Sequence, residues 1–181
     1  MLRISPKAKI SPLTDIEDSV LGSIITIEDG VVIDSFVKIK AAGGDGDLRI
    51  GRNGSINSGV VMYIGNGIDI ADNVAIGANS TLAPTNHAYK ASDVLIRDQR
   101  FMPSRGGIVI EEDVWIAANV VLLDGAHLGR GCVIGAGSLV RGRIPPYSVN
   151  VGSPTRIIGY RQPSDASAPS EETLQAIASA S

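Results

Sequence analysis

Apolar residues recur every six positions over much of the chain. From Ile110 the sequence reads IEEDVW, IAANVV, LLDGAH, LGRGCV, IGAGSL, VRGRIP. The first place holds Ile110, Ile116, Leu122, Leu128, Ile134 and Val140. The fifth holds Val114, Val120, Ala126, Cys132, Ser138 and Ile144, mostly small or aliphatic. The third and fourth places are mostly Asn, Asp, Gly or Ala. An α-helix repeats at 3.6 residues and cannot generate this period. A short strand followed by a tight turn, wound repeatedly around a coil, can.

Upstream, the sixes begin at Leu21 and continue at Ile27, Ile33 and Ile39. They break at Gly43–Asp47, resume at Ile50 and Ile56, and slip by two residues. They run again from Ile64 through Ile70, Ile76 and Leu82. About fifteen hexads can be counted; three to a coil would make roughly five coils and a prism about 25 Å tall. Triangular stacking places residue i over i+18, and Ile110/Leu128, Ile116/Ile134 and Leu122/Val140 are all aliphatic pairs. Residues 1–20 mix Pro, Lys and Asp and predict a cap over the open end. Residues 85–107 carry no hexad and no helical period, which predicts an excursion loop of functional interest. The repeat domain is read as 1–161 and the tail as 162–181, with Ser170 as N-cap and Glu171 and Glu172 in the first turn of a short helix.

The sixth place should point outward. There Trp115 and Val133 share one face, and Val121 and Leu139 another. Apolar columns on an outer surface predict a subunit interface. Scattered surface hydrophobes are the ordinary alternative.

Composition changes this picture little. The chain of 181 residues is 44% hydrophobic but only 4% aromatic, with 21 glycines. That suits stacked aliphatic ladders and tight turns. A net charge of −3 argues against a broad nucleic-acid footprint. One cysteine excludes an internal disulfide framework, and the N-terminus lacks an apolar h-region. No apolar run reaches membrane-spanning length. The expectation is a cytoplasmic protein without a transmembrane segment.

Three stretches then carry a resemblance: IGANSTLAPTNHAY, IVIEEDVWIAANVVLLDGAHLGRGCVIGAGSLV and PPYSVNVGSPTRIIG. From about Ile50 to Arg161 the chain resembles the hexapeptide-repeat acyltransferases, with a flavour closest to the sugar O-acetyltransferases of maltose, galactoside and polysaccharide type. The resemblance implies a left-handed parallel β-helix, a homotrimer, and acetyl-CoA as donor bound in a groove between subunits. It implies His87 as general base, since the family's catalytic histidine falls where the long loop leaves. An imidazole can accept a proton near neutral pH; a surface-loop histidine is the plain alternative. Asn57 matches an active-site Asn of the family, with a corner Asn as the alternative. An active-site Asp of the family aligns with Gly65 here, so the same sugar is not implied, and Asp69 does not align.

Trp115 matches a Trp lining the tunnel where thiol and acceptor meet. Ala117, Ala118, Gly135 and Ala136 are small corner residues that let the pantetheine arm approach the backbone, although tight corners need small residues in any case. Arg141, Arg143 and Arg156 suit CoA phosphates in charge and shape, against a solvated cluster; Arg161 belongs to the same basic end. In the loop, Tyr89, Arg97 and Arg100 are candidates for acceptor contact. His127, in an outward turn position, is the rival base and reads better as a rim histidine. Cys132 should point inward and be inert, which favours direct transfer over an acyl-enzyme. Two histidines from distant segments fall short of a catalytic zinc site, so no metal is expected. The implied activity is acetyl transfer to a hydroxyl of a sugar or glycan precursor. N-acetylation of an amino sugar or an antibiotic-type acceptor stays open, as does a non-enzymatic β-helical scaffold.

Overall fold

The computed structural model describes residues 1–41 and 44–163. The predicted C-terminal helix and its Ser170 cap lie outside them. Short parallel strands form three sheets that face one another around a triangular prism, wound as a left-handed β-helix. Face I has seven strands, from Leu2–Ile4 to Arg143–Ile144. Face II has eight, from Lys9–Ile10 through Ser148–Val151 to Arg156–Tyr160. Face III has six, from Asp15–Ile16 to Leu139–Val140. One strand from each face makes a complete coil, so the chain forms six coils and begins a seventh.

The inward positions are those the period marks. Ile110 lies on Leu128, Ile116 on Ile134 and Leu122 on Val140. Ile33, Ile39, Ile50, Ile56, Ile70, Ile76, Ile116, Leu122 and Val140 are all at most 1% exposed. β-branched residues suit such ladders because their stiff side chains pack against the same atoms one coil up and down. Ser138, at an inward place, is buried and its hydroxyl accepts the Gly152 amide at 3.0 Å.

Six coils rather than about five follow from residues 1–20. They do cover the open end, but as a coil of their own: Leu2–Ile4, Lys9–Ile10 and Asp15–Ile16 each pair in parallel with the coil above. Pro6 and the charges hid this rhythm, because this coil's outer side faces solvent and only Ala8, Ile10 and Ile16 pack on the core. Leu21, expected to open the first hexad, is instead exposed in the connection between coils.

The departures from the period share one location. From face I to face II the step is always seven residues: Leu2 to Lys9, Ile25 to Val32, Leu48 to Ser55, Ile68 to Ala75, Ile108 to Trp115. From face II to face III it is always six, as in Lys9 to Asp15, Ala75 to Thr81 and Val133 to Leu139. Yet Leu2 pairs with Ile25, Leu48 with Ile68, Ile68 with Ile108, Ile110 with Leu128 and Leu128 with Ile144. Turn lengths therefore vary only on the edge joining face III to face I. There the connections are 17–24, 41–47, 64–67, 84–107, 124–126 and 141–142. The break at Gly43–Asp47, the two-residue slip and the long excursion are three events on one edge.

The inward ladder yields a stability prediction. Ile116 is fully buried between Ile76 and Ile134. Ile116→Ala should cost about 2–5 kcal/mol and Ile116→Val about 0.5–1.5 kcal/mol in urea unfolding, the difference being cavity volume. Equal stability of wild type and the Ala variant would contradict the packing.

Candidate active site

The excursion 84–107 is a compact hairpin. Met102 N donates to Asn86 O at 2.8 Å and Ala88 N to Arg100 O at 3.0 Å, with His87 bridged antiparallel to Phe101. The His87 ring lies 4.7 Å from the Phe101 ring, tilted by 39°. His87 is exposed. Among the described residues no side chain hydrogen-bonds its ring nitrogens, so ring packing on Phe101 orients it. At the tip, Gln99 Nε2 donates to the carbonyls of Ala91 and Val94, both at 2.8 Å, and closes the one-turn helix Ile96–Gln99. Tyr89, Arg97 and Arg100 are all exposed on this hairpin. Arg97 stands 3.6 Å from Asp98, and Arg100 takes a left-handed φ of 61°.

The other candidates gather on the II–III edge. There the corner amides climb coil to coil: Asn57 N to Ile76 O, Gly77 N to Ile116 O, Ala117 N to Ile134 O and Gly135 N to Asn150 O. Asn57, Ala117 and Gly135 thus occupy one column. A Cβ on Gly77 would sit 2.5 Å from the Ala117 carbonyl carbon, so the stack itself requires a glycine there. Asn119 N and Gly137 N are likewise bonded, to Ala78 O and Ala118 O. The amides of Ala118 and Ala136 have no such partner among the described residues. Beside this column, Trp115 projects from face II, 55% exposed and stacked between Ala75 and Val133. Asn57 is exposed; its Nδ2 donates to Ile76 O at 2.9 Å, which commits one N–H to the corner and leaves the second.

Within one chain, then, Asn57 and the small corner residues share an edge, while His87 leaves from a different one. Arg141 and Arg143 line a cavity of about 400 Å³ at the C-terminal end, with Pro154, Thr155 and Ile157. Arg156 lies between two of these lining residues and is exposed. Arg161 is spent structurally, donating to Asp113 Oδ2 at 2.8 Å and Gly131 O at 2.9 Å. Gly65 is buried in the 64–67 connection, and Asp69 pairs with Arg49 at 3.3 Å on face I.

His127 sits apart on face I, between Val109 and Arg143, with Nε2 2.6 Å from Glu111 Oε1. Burial pushes the Cys132 thiol up to about 12, with the Glu111 charge adding to it, so Cys132 stays protonated and inert. Sequence reasoning passed over Phe101, Asn66 and Asp124, which hold the hairpin. Asp124–Gly125 could be read as a turn, but its tertiary partners could not.

The family model described as bacterial transferase hexapeptide (six repeats) matches residues 107–142. A putative lipopolysaccharide biosynthesis O-acetyl transferase, WbbJ, of Escherichia coli (strain K12) is 31% identical over 142 residues, covering 63% of this chain and 72% of that protein. The chain belongs to the hexapeptide-repeat transferases. The galactoside O-acetyltransferase of Escherichia coli (strain K12) is 38% identical over 112 residues, 62% of this chain; the match spans about half of that relative, 53%. Among solved structures, a hexapeptide-repeat-containing acetyltransferase of Vibrio cholerae O1 biovar eltor, complexed with acetyl coenzyme A, shares 25% identity at a TM-score of 0.61. That alignment covers 90% of this chain and 71% of that one.

The Glu111–His127 contact makes a pH prediction. The hydrogen bond from His127, then that from the Arg130 amide, holds the Glu111 carboxyl below the ordinary carboxylate range. A depressed carboxyl stabilises the fold above its unfolded pKa and loses that contribution as pH falls through the folded one. Glu111→Gln should therefore be less stable than wild type near neutrality, by no more than about 1 kcal/mol for so exposed a pair. The gap should close in acid, below the carboxylate range, in thermal melts taken across pH. A gap that widens in acid would refute the assignment.

Proposed function

We propose that the chain transfers acetyl from acetyl-CoA directly to a hydroxyl of a sugar or glycan precursor, with His87 as general base. His87 carries the reading: an exposed imidazole whose ring nitrogens take no hydrogen bond among the described residues, packed on Phe101 in the hairpin that interrupts the coil. An acceptor hydroxyl must lose its proton as its oxygen attacks the thioester carbonyl, and a neutral imidazole within reach takes it. As the tetrahedral oxyanion collapses, the C–S bond breaks and the imidazolium returns the proton to the departing sulfur. The free N–H of Asn57 is a donor suited to the oxyanion.

The II–III edge supplies the donor wall. Ala117, Ala118, Gly135 and Ala136 keep the backbone accessible, and the unspent amides of Ala118 and Ala136, one coil apart, match the carbonyls of a pantetheine arm. Trp115 closes this wall beside the reacting carbon. Arg141, Arg143 and Arg156 stand at the end of the prism where phosphates would lie. Tyr89, Arg97 and Arg100 face the acceptor. Because the wall and His87 occupy different edges, a site using both is built between two copies, and the assembly we infer is a homotrimer. The columns Trp115–Val133 and Val121–Leu139 are apolar surface for that contact. The sugar O-acetyltransferases among the relatives and the acetyl-CoA bound to the Vibrio protein support this reading.

The test is thiol release from acetyl-CoA across a panel of sugars and amino sugars. His87→Ala should lower kcat about 10²–10⁴-fold, the usual contribution of a positioned base, while His127→Ala leaves it unchanged. The opposite pattern overturns the base assignment. Turnover of amino sugars alone would replace the hydroxyl with an amine acceptor. An absence of thermal stabilisation by CoA would favour a scaffold, and a monomer in sedimentation would remove the shared site.

A further inference from the structure

We propose that Asp124 is a positioning residue, whose buried carboxylate sets the height and angle at which the His87 hairpin leaves the prism. The proposal rests on the reading of His87 as the base. Asp124 lies in the 124–126 connection on the III–I edge, one coil beyond the excursion, and is only 5% exposed. A buried carboxylate is costly unless its oxygens are met by donors. Here they all come from the returning leg of the hairpin: Arg105 N at 2.7 Å, Gly107 N at 3.0 Å and Ser104 Oγ at 3.4 Å. Gly125 N then donates to Gly107 O at 2.7 Å, so both backbone groups of Gly107 are held from the same connection.

The coil below completes the clamp. Asn66 Nδ2 donates to Pro84 O at 2.7 Å on the outgoing leg. The returning leg is pressed onto the 64–67 connection so closely that a Cβ on Gly107, whose φ is 74°, would lie 2.5 Å from the carbonyl oxygens of Asn66 and Gly67. Little slack separates clamp from base. Met102 is the last residue paired across the hairpin and Ser104 the first held by Asp124, with Pro103 between them. A proline has a fixed φ, which removes one of the rotations available at this joint. The position of Phe101, and of the His87 ring packed on it, therefore follows the Asp124 carboxylate.

The full chain is tested as Asp124→Ala and Asp124→Asn, with His87→Ala beside them. In Asp124→Ala, kcat should fall about 10- to 100-fold, the scale of a misplaced catalytic group. KM for acetyl-CoA should stay near the wild-type value, because the donor wall lies on another edge. Asn keeps one acceptor oxygen and should restore part of kcat. Independently of activity, trypsin should cut faster at the exposed Arg97, Arg100 and Arg105 in Asp124→Ala than in wild type, while the coil stays intact. Wild-type kcat and wild-type cutting in both variants would overturn the proposal. So would parallel losses in kcat, acetyl-CoA KM and melting temperature with no rescue by Asn, which mark a purely structural role. If His87→Ala turns over at full rate, the base reading fails and the catalytic part of the proposal with it, while the cutting pattern still decides the clamp.

Discussion

Everything in this molecule depends on one coil hydrogen-bonding to the next. A parallel strand of two or three residues has almost no stability alone. It persists because each amide finds a carbonyl in the coil beside it, as Trp115 N finds Cys132 O and Val121 N finds Ser138 O, while each inward side chain rests on its equivalent above and below. That requirement fixes the step from face I to face II and from face II to face III, because a single added residue would turn the inward ladder outward. Length can change only where the chain passes from one coil to the next, and the III–I edge takes all of it.

The division of labour among the edges follows. On the II–III edge the register never varies, so small residues can be stacked into a continuous wall with amides at regular heights. The I–II edge is equally regular but carries charge, with Arg52 on Asp72 at 2.6 Å and Arg130 on Glu112 at 3.3 Å. Such exposed pairs contribute little individually, and this edge carries none of the proposed chemistry. The III–I edge, free of the register, hosts the hairpin with His87. A rigid wall and a variable arm thus come from one repeat without either compromising the other.

Much of this was legible in the residues because the repeat is local. Ile116 must be inward if Ile110 and Leu122 are, whatever happens elsewhere. The i+18 pairs therefore carried straight into the observed register. The first coil was not legible. Exposed on its outer side, it needs only Ala8, Ile10 and Ile16 to pack, and two isoleucines beside one alanine make no visible period. The grouping of irregularities on one edge was also hidden, because it emerges only once the faces are known. At the site, His87 and Trp115 stood out by residue type and place. Asn57 did not reveal that its amide is partly committed to Ile76, nor Arg161 that it serves Asp113. Phe101 and Asp124 act through contacts with residues 14 and 17–20 positions away, which no periodic pattern encodes.

The strand Arg156–Tyr160 runs antiparallel to Ser148–Val151, with a bulge between Val149 and Asn150. Every other strand pairing in the three sheets, among the described residues, is parallel. A stack of identical coils contains no internal instruction to stop, and its last parallel edge would be an open template for the first coil of another molecule. Reversing the chain once covers that template on face II with a strand of the wrong polarity. The two ends of the prism thereby become chemically unlike, and a head-to-tail fibre finds a mismatched partner on that face at one of them.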